Sequence, residues 1–256
     1  MAGSLKKPRI TPKLLRTLIA AAAVVLAAII TMLVPILLHS TTATPTPTPT
    51  SVSFANLDDE ADRWTTIQDT VVGKATSIQN PSVDGNAVKV SLAKGHPGNS
   101  ILAQRTLGRA DNVTTFALSL SFYFPSAASI QALGFSIDKW VNHQRWQWKL
   151  QWLNFPGAGH LPSWRVFDGN YWQDTHVIQD LSVNMWHTLQ FKGDIVNGQV
   201  HYISFSCDAT SASLDQTFTP VSDPGENQLA VQVELDGGAQ GNPYDVYFDE
   251  VNLLWR

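Results

Sequence analysis

The sequence predicts an all-β fold, an antiparallel two-sheet jelly-roll sandwich, preceded by one N-terminal transmembrane helix. Three observations predict it. Helical periodicity is nearly absent after residue 52 of the 256-residue chain. Short runs rich in β-branched and aromatic residues recur there, divided by Gly, Pro, Asn and Asp. Ahead of them lies a 21-residue stretch without a charge.

The elements follow in order. Residues 1–17 carry Lys6, Lys7, Arg9, Lys13 and Arg16 and no acid, which reads as a basic cytoplasmic tail. Residues 18–38, LIAAAAVVLAAIITMLVPILL, would span about 30 Å as a helix, the thickness of a bilayer core. A cleaved signal peptide is the alternative, but its apolar region is usually only ~7–15 residues and ends at a small-residue cleavage site. The expectation is therefore an uncleaved signal anchor: a single-pass protein of the cell membrane with its C-terminal domain outside. Residues 39–53, HSTTATPTPTPTSVS, form a Thr/Pro linker, extended and semi-rigid because proline fixes φ and lacks a donor. Residues 54–256 make the sandwich domain.

Candidate strands within that domain are 87–92, 100–107, 114–124, 132–140, 145–153, 163–169, 186–195, 198–208, 227–237 and 244–255. Links such as VNGQ read as hairpin turns. The long strands suit a jelly roll better than an immunoglobulin domain, and the cysteine pair of the latter is missing. The one cysteine, Cys207, excludes an intramolecular disulfide, so a sizeable core must supply the stability. Alternation in HYISFSCD sets Ile203, Phe205 and Cys207 on one face, which predicts a buried, inert thiol. From residue 18 onward there are 12 basic and 21 acidic residues, a balance that argues against nucleic acid and polyanionic glycans as partners.

Five of the nine tryptophans fall between His143 and Asp174. In RWQWKLQWL, Trp146, Trp148, Leu150 and Trp152 share one face of a strand, while Arg145, Gln147, Lys149 and Gln151 share the other. The plain reading is a strand with one face on the core and the other in solvent. Trp140, Trp186 and Trp255 also read as core.

The opening FANLDDEADRW, then SVDGNAVKVSL and FALSLSFYFP, the Trp-rich middle, MWHTLQFKGDIVNGQVHYISFSCD and the closing VYFDEVNLLW together resemble the concanavalin A-like lectin/glucanase superfamily. That superfamily includes many bacterial carbohydrate-binding modules and lamin-G-like domains. W-H-x-L-x-F…G-x-V-x-Y and Y-x-D-x-V-x-L carry the resemblance best. Both are scaffold features, so they speak to fold rather than chemistry. Galactose-binding-like jelly rolls end in a similar strand and stay open as a sister fold. The resemblance implies a concave sheet across which sugars lie, stacking on aromatic rings and hydrogen-bonding to planar polar groups. Trp164, Tyr171 and Trp172 are the expected stacking residues, and Arg145, Gln147, Lys149, Gln151 and Asp168 the expected hydrogen-bonding ones. It also implies a structural Ca²⁺ where first and last strands meet, held by Asp58, Asp59, Glu60 and Asp249.

No catalytic signature is legible. Glucanases of the superfamily place carboxylates at alternate positions of one strand; Glu234 and Asp236 have that spacing, but no third acid follows. The lyases use a Tyr/His pair with Arg and Gln or Asn. Such types occur at His143, His160, His176, His187, Tyr171 and Tyr202, without a signature string. No G-x-S-x-G elbow, H-E-x-x-H or Cys/His cluster is present. The expected function is non-catalytic binding of a polysaccharide or glycan, neutral given the acidic domain. The alternatives are a divergent hydrolase or lyase, and an adhesion domain that contacts protein.

Overall fold

The computed structural model describes residues 51–68, 73–94, 96–109, 112–154 and 159–256. The chain divides into two units, Met1–Thr48 and Pro49–Arg256, and the description covers the second. The expected basic tail, the helix at 18–38 and the linker up to residue 50 lie outside the described residues. Among those described, no helix is long and apolar enough to cross a membrane.

The chain opens with β1 (Val52–Phe54), a 3₁₀ turn (Leu57–Arg63), β2 (Trp64–Gln68), β3 (Gly73–Ile78), β4 (Ala87–Leu92) and β5 (Ser100–Thr106). Its middle holds β6 (Thr115–Tyr123), β7 (Ile130–Val141), β8 (Gln144–Leu153), β9 (Ser163–Phe167) and β10 (Trp172–Ile178). It closes with β11 (Trp186–Val196), β12 (Gln199–Cys207), β13 (Thr210–Phe218), β14 (Val221–Ser222), β15 (Gln228–Gly237) and β16 (Tyr244–Trp255). One sheet runs β13-β12-β11-β6-β16-β4-β3 with β1 on β16; the other runs β10-β9-β8-β7-β15-β5-β2 with β14 on β8. Two faces of alternating strands meet in between, so each strand needs an apolar residue only at every second position.

Local chemistry sets the hairpins. Asn142 and His143 join β7 to β8 with φ of 52° and 61°, and Asn197 and Gly198 join β11 to β12 with φ of 52° and 77°. Two consecutive positive φ values mark the turn whose twist matches the flanking strands, and Asn and Gly tolerate them best.

Most of the tryptophan concentration is core. Trp148, Trp152 and Trp164 point into the sandwich and are at most 2% exposed. A buried indole needs a partner for its N–H. Trp148 donates to the His201 carbonyl (3.0 Å), Trp152 to the Gln179 carbonyl (2.9 Å) and Trp164 to Gln179 Oε1 (2.8 Å). Trp148 packs so closely on β11 that a Cβ at Gly193 would come within 2.6 Å of its ring. Trp255 is buried as expected. Trp140 is buried too, but on the outer face of the second sheet, beneath the chain after β14. Trp186 departs from expectation: it is half-buried on the outer face of the first sheet, beside Tyr123 (5.6 Å). Cys207 is fully buried, and burial raises its thiol well above the ordinary range.

Candidate functional site

The outer face of the second sheet carries the polar residues that alternate with this core. On β8, Gln151 stands between Arg165 of β9 and Gly134 of β7, and Gly134 pairs on its far side with Glu234 of β15. Gly134 has no side chain, so Lys149 reaches over the central strand β7 and forms an ion pair with Glu234. Next to it, Gln151 donates Nε2–H to Asp236 Oδ2 (2.8 Å) and accepts from Arg165 Nε (2.6 Å) at its Oε1. One amide thus joins a carboxylate to a guanidinium.

The network ends in an aromatic ring. Trp172 opens the edge strand β10, half-buried and packed on Phe167 (5.3 Å). The Arg165 guanidinium lies 4.4 Å from its ring centroid and the Lys149 ammonium 5.2 Å. Two cations therefore brace the ring from the floor. Beside it opens a groove of about 620 Å³, lined by Leu153, Leu161, Arg165, Trp172, Asp174 and Ile178 among others. Leu161 and Ile178 are exposed, which gives the groove an apolar rim around a charged floor.

Burial shapes the electrostatics. The Asp236 carboxyl is pushed up to about 7, first by burial and then by the neighbouring Glu234 charge, against the pull of Lys149 and Arg165. Burial lowers Arg165 while Asp236 and Glu234 oppose the shift.

The expected residues fall into three groups. Tyr171 (73% exposed), Trp172 and Lys149 lie on or beside this face, whereas Gln151, expected to bond a ligand, is buried beneath it with its amide taken by Asp236 and Arg165. Trp164 does not: expected to stack on a ligand, it is buried in the core, because it shares a face with Val166 and leaves the opposite one to Arg165. Arg145 and Gln147 sit toward the end of the face that the chain after β14 covers. There Arg145 is committed to the buried Asp138 (2.7 Å) and lies over the Trp140 ring, whose N–H donates to Asp223 (2.9 Å). Asp168 is likewise a structural group. Its Oδ1 accepts from the Tyr171 and Asn170 amides and its Oδ2 from Gln173, which holds its carboxyl below the usual range and fixes the turn that presents Tyr171 and Trp172. Arg165, Asp174 and His160 were missed as groove residues.

Of the four residues expected to hold a metal, Asp58 and Asp59 come together, with Asp84 beside them. Asp58 is buried; its Oδ1 accepts from the Val251 amide (2.8 Å), while its Oδ2 is buried without a hydrogen-bond partner. Burial, then the nearby Asp249 and Asp59, raise its carboxyl to about 6. Carboxylate oxygens of Asp58, Asp59 and Asp84 lie within 4.8 Å of one another. A buried lone pair facing two exposed carboxylates suits a hard cation. Glu60 is not part of the set, because Arg105 and Arg63 engage its carboxylate. Asp249 accepts from Ser82 Oγ (2.8 Å) and the Val83 amide, so it holds the loop that bears Asp84.

No protein-family model matches the chain, and no curated protein matches its sequence. Solved structures match its shape. The endo-β-1,4-glucuronan lyase of the fungus Trichoderma reesei superimposes with a TM-score of 0.51 at 13% identity, over 78% of this chain and 94% of that one. The alginate lyase Aly36B gives 0.48 at 12%, over 81% and 97%. The lectin UEA-II, complexed with galactose, gives 0.47 at 10%, over 81% and 98%. The likeness is one of fold: an all-β sandwich of two antiparallel sheets.

Proposed function

We propose that this domain binds a glycan non-catalytically in the groove beside Trp172. The observation that carries the reading is the half-buried Trp172 ring, braced by Arg165 and Lys149 at the edge of an open, apolar-rimmed groove. Sugar rings present C–H faces to aromatic rings and hydroxyls to planar polar groups, and this face offers both. The glucuronan lyase that shares the fold supports the carbohydrate part of the reading. A panel of soluble polysaccharides titrated against the protein, followed by tryptophan fluorescence, tests it. Binding that Trp172→Ala removes while the melting temperature holds supports it; the same binding in that variant refutes it.

A lyase is the second reading, favoured by Arg165 and His160 lining the same groove. Release of unsaturated products from a polyuronate, read by ultraviolet absorbance, would establish it. Ca²⁺ on Asp58, Asp59 and Asp84 would serve to tie the 3₁₀ turn and the 82–86 loop to the last strand. The apolar stretch 18–38 and its basic flank would hold the domain at the outer surface of a membrane, which fractionation of cells checks.

A further inference from the structure

We propose that Glu234 and Asp236 set the charge selectivity of this groove, cancelling Lys149 and Arg165 so that it accepts neutral glycans and turns polyuronates away. The inference rests on the carbohydrate reading above.

Arg165 lines the groove and Lys149 stands behind it, both against the Trp172 ring. Unopposed, they would favour a carboxylate-bearing sugar, since a guanidinium fork matches a carboxylate and both gain strength away from water. β15 supplies the opposition. Glu234 takes the Lys149 ammonium across the gap left by Gly134. Asp236 is linked to Arg165 through the Gln151 amide, which donates to one and accepts from the other. With Asp174 on the rim, three carboxylates face two cations. A sugar hydroxyl can share such a network, as donor to a carboxylate and acceptor from a cation. A uronate instead meets cations already neutralised and two carboxylates that repel it. The i, i+2 spacing that resembles a hydrolase pair therefore has a different use: it sets both acids on the outer face of the sheet, behind the cations that brace Trp172.

The groups facing Asp236 are Glu234 on its own strand, Lys149 and Gln151 on β8, Arg165 on β9 and the Tyr244 hydroxyl, which donates to the Asp236 carbonyl (2.8 Å). Acidification from pH 8.5 to 5.5 takes the charge off Asp236, whose carboxyl titrates near 7, while sugar carboxylates near ~4 stay ionised.

The test is affinity electrophoresis of wild type, Glu234→Gln, Asp236→Asn and the double variant. The gels contain either a soluble neutral β-glucan, mannan or galactan, or a polyglucuronate. Wild type is expected to be retarded by a neutral polymer and not by the polyuronate at pH 8.5. The double variant should shift the ratio of polyuronate to neutral affinity by roughly tenfold or more, the equivalent of about 1.4 kcal/mol, and the gained binding should weaken with salt. If Asp236→Asn does not fold, Glu234→Gln carries the test, because it removes one carboxylate and leaves Asp236 in place. The wild-type pH series adds a readout that discharges Asp236 without a substitution. An unchanged ratio in the variants and across pH, with neutral binding present, overturns the charge role alone. Equal wild-type binding to both polymers at pH 8.5 also overturns it. Binding of no polymer by any form overturns the carbohydrate reading and this inference with it.

Discussion

Trp164→Ala and Trp172→Ala, eight residues apart, should fail in opposite ways. Trp164 is fully buried, with ring centroids 5.1 Å from Phe205 and 6.2 Å from Phe135. Truncating a buried tryptophan costs about 3–5 kcal/mol in lost transfer energy and residual cavity. The change also strips Gln179 Oε1 of its donor, which adds roughly 1 kcal/mol. The expected loss is about 4–6 kcal/mol, or on the order of 8–24 °C in melting temperature for a domain of this size. Trp172 is half-buried, and its loss removes chiefly the contact with Phe167, about 1 kcal/mol. Calorimetry and urea unfolding measure the first quantity; glycan titration of the folded protein measures the second. The partition predicts an unstable Trp164 variant that still binds and a stable Trp172 variant that does not. A Trp164→Ala protein within about 1.5 kcal/mol of wild type would refute the core assignment.

Three further outcomes follow from the same geometry. Adding Ca²⁺ should raise the melting temperature, an effect lost in Asp84→Ala and kept in Glu60→Ala, as differential scanning fluorimetry would show; no Ca²⁺ response removes the metal site. Gly193→Ala should cost about 2 kcal/mol or more by urea unfolding, since the added Cβ meets the Trp148 and Phe116 rings within 2.8 Å. Burial works against the charge on His201, but its bonds to Asp194 (2.7 Å) and Asp215 raise its imidazole above 6.5 overall. That contribution is fully present below 6.5 and lost as pH rises through the folded-state value. Stability of His201→Gln should therefore show a flatter slope across this window.

The long central strands were legible because alternation, β-branched residues and turn residues agree there. Residues 87–92 and 244–255 match β4 and β16 end to end, and β8 differs by a single residue. The strands that sequence missed lie toward the sheet edges and carry few apolar residues. β13, TSASLDQTF, alternates without a strong apolar side, and β10, WQDTHVI, is broken by a bulge at His176, whose φ is 60°. The polar face of β8 was readable in advance, and of its residues Lys149 comes against the Trp172 ring. Trp164 was misplaced although SWRVF held the answer: Trp164 alternates in phase with Val166, and Arg165 takes the other face. What no linear pattern discloses is which polar groups the chain after β14 covers. Arg145 and Lys149 share a face and a strand, yet one is bound to Asp138 near that cover and the other reaches Trp172.

The most direct test of the account follows the nine indole N–H resonances while a neutral oligosaccharide from the binding panel is added. The account predicts that the Trp172 signal moves and saturates while those of Trp148, Trp152 and Trp164 stay in place. Saturable binding that leaves Trp172 unmoved, or no movement with any glycan, would contradict it.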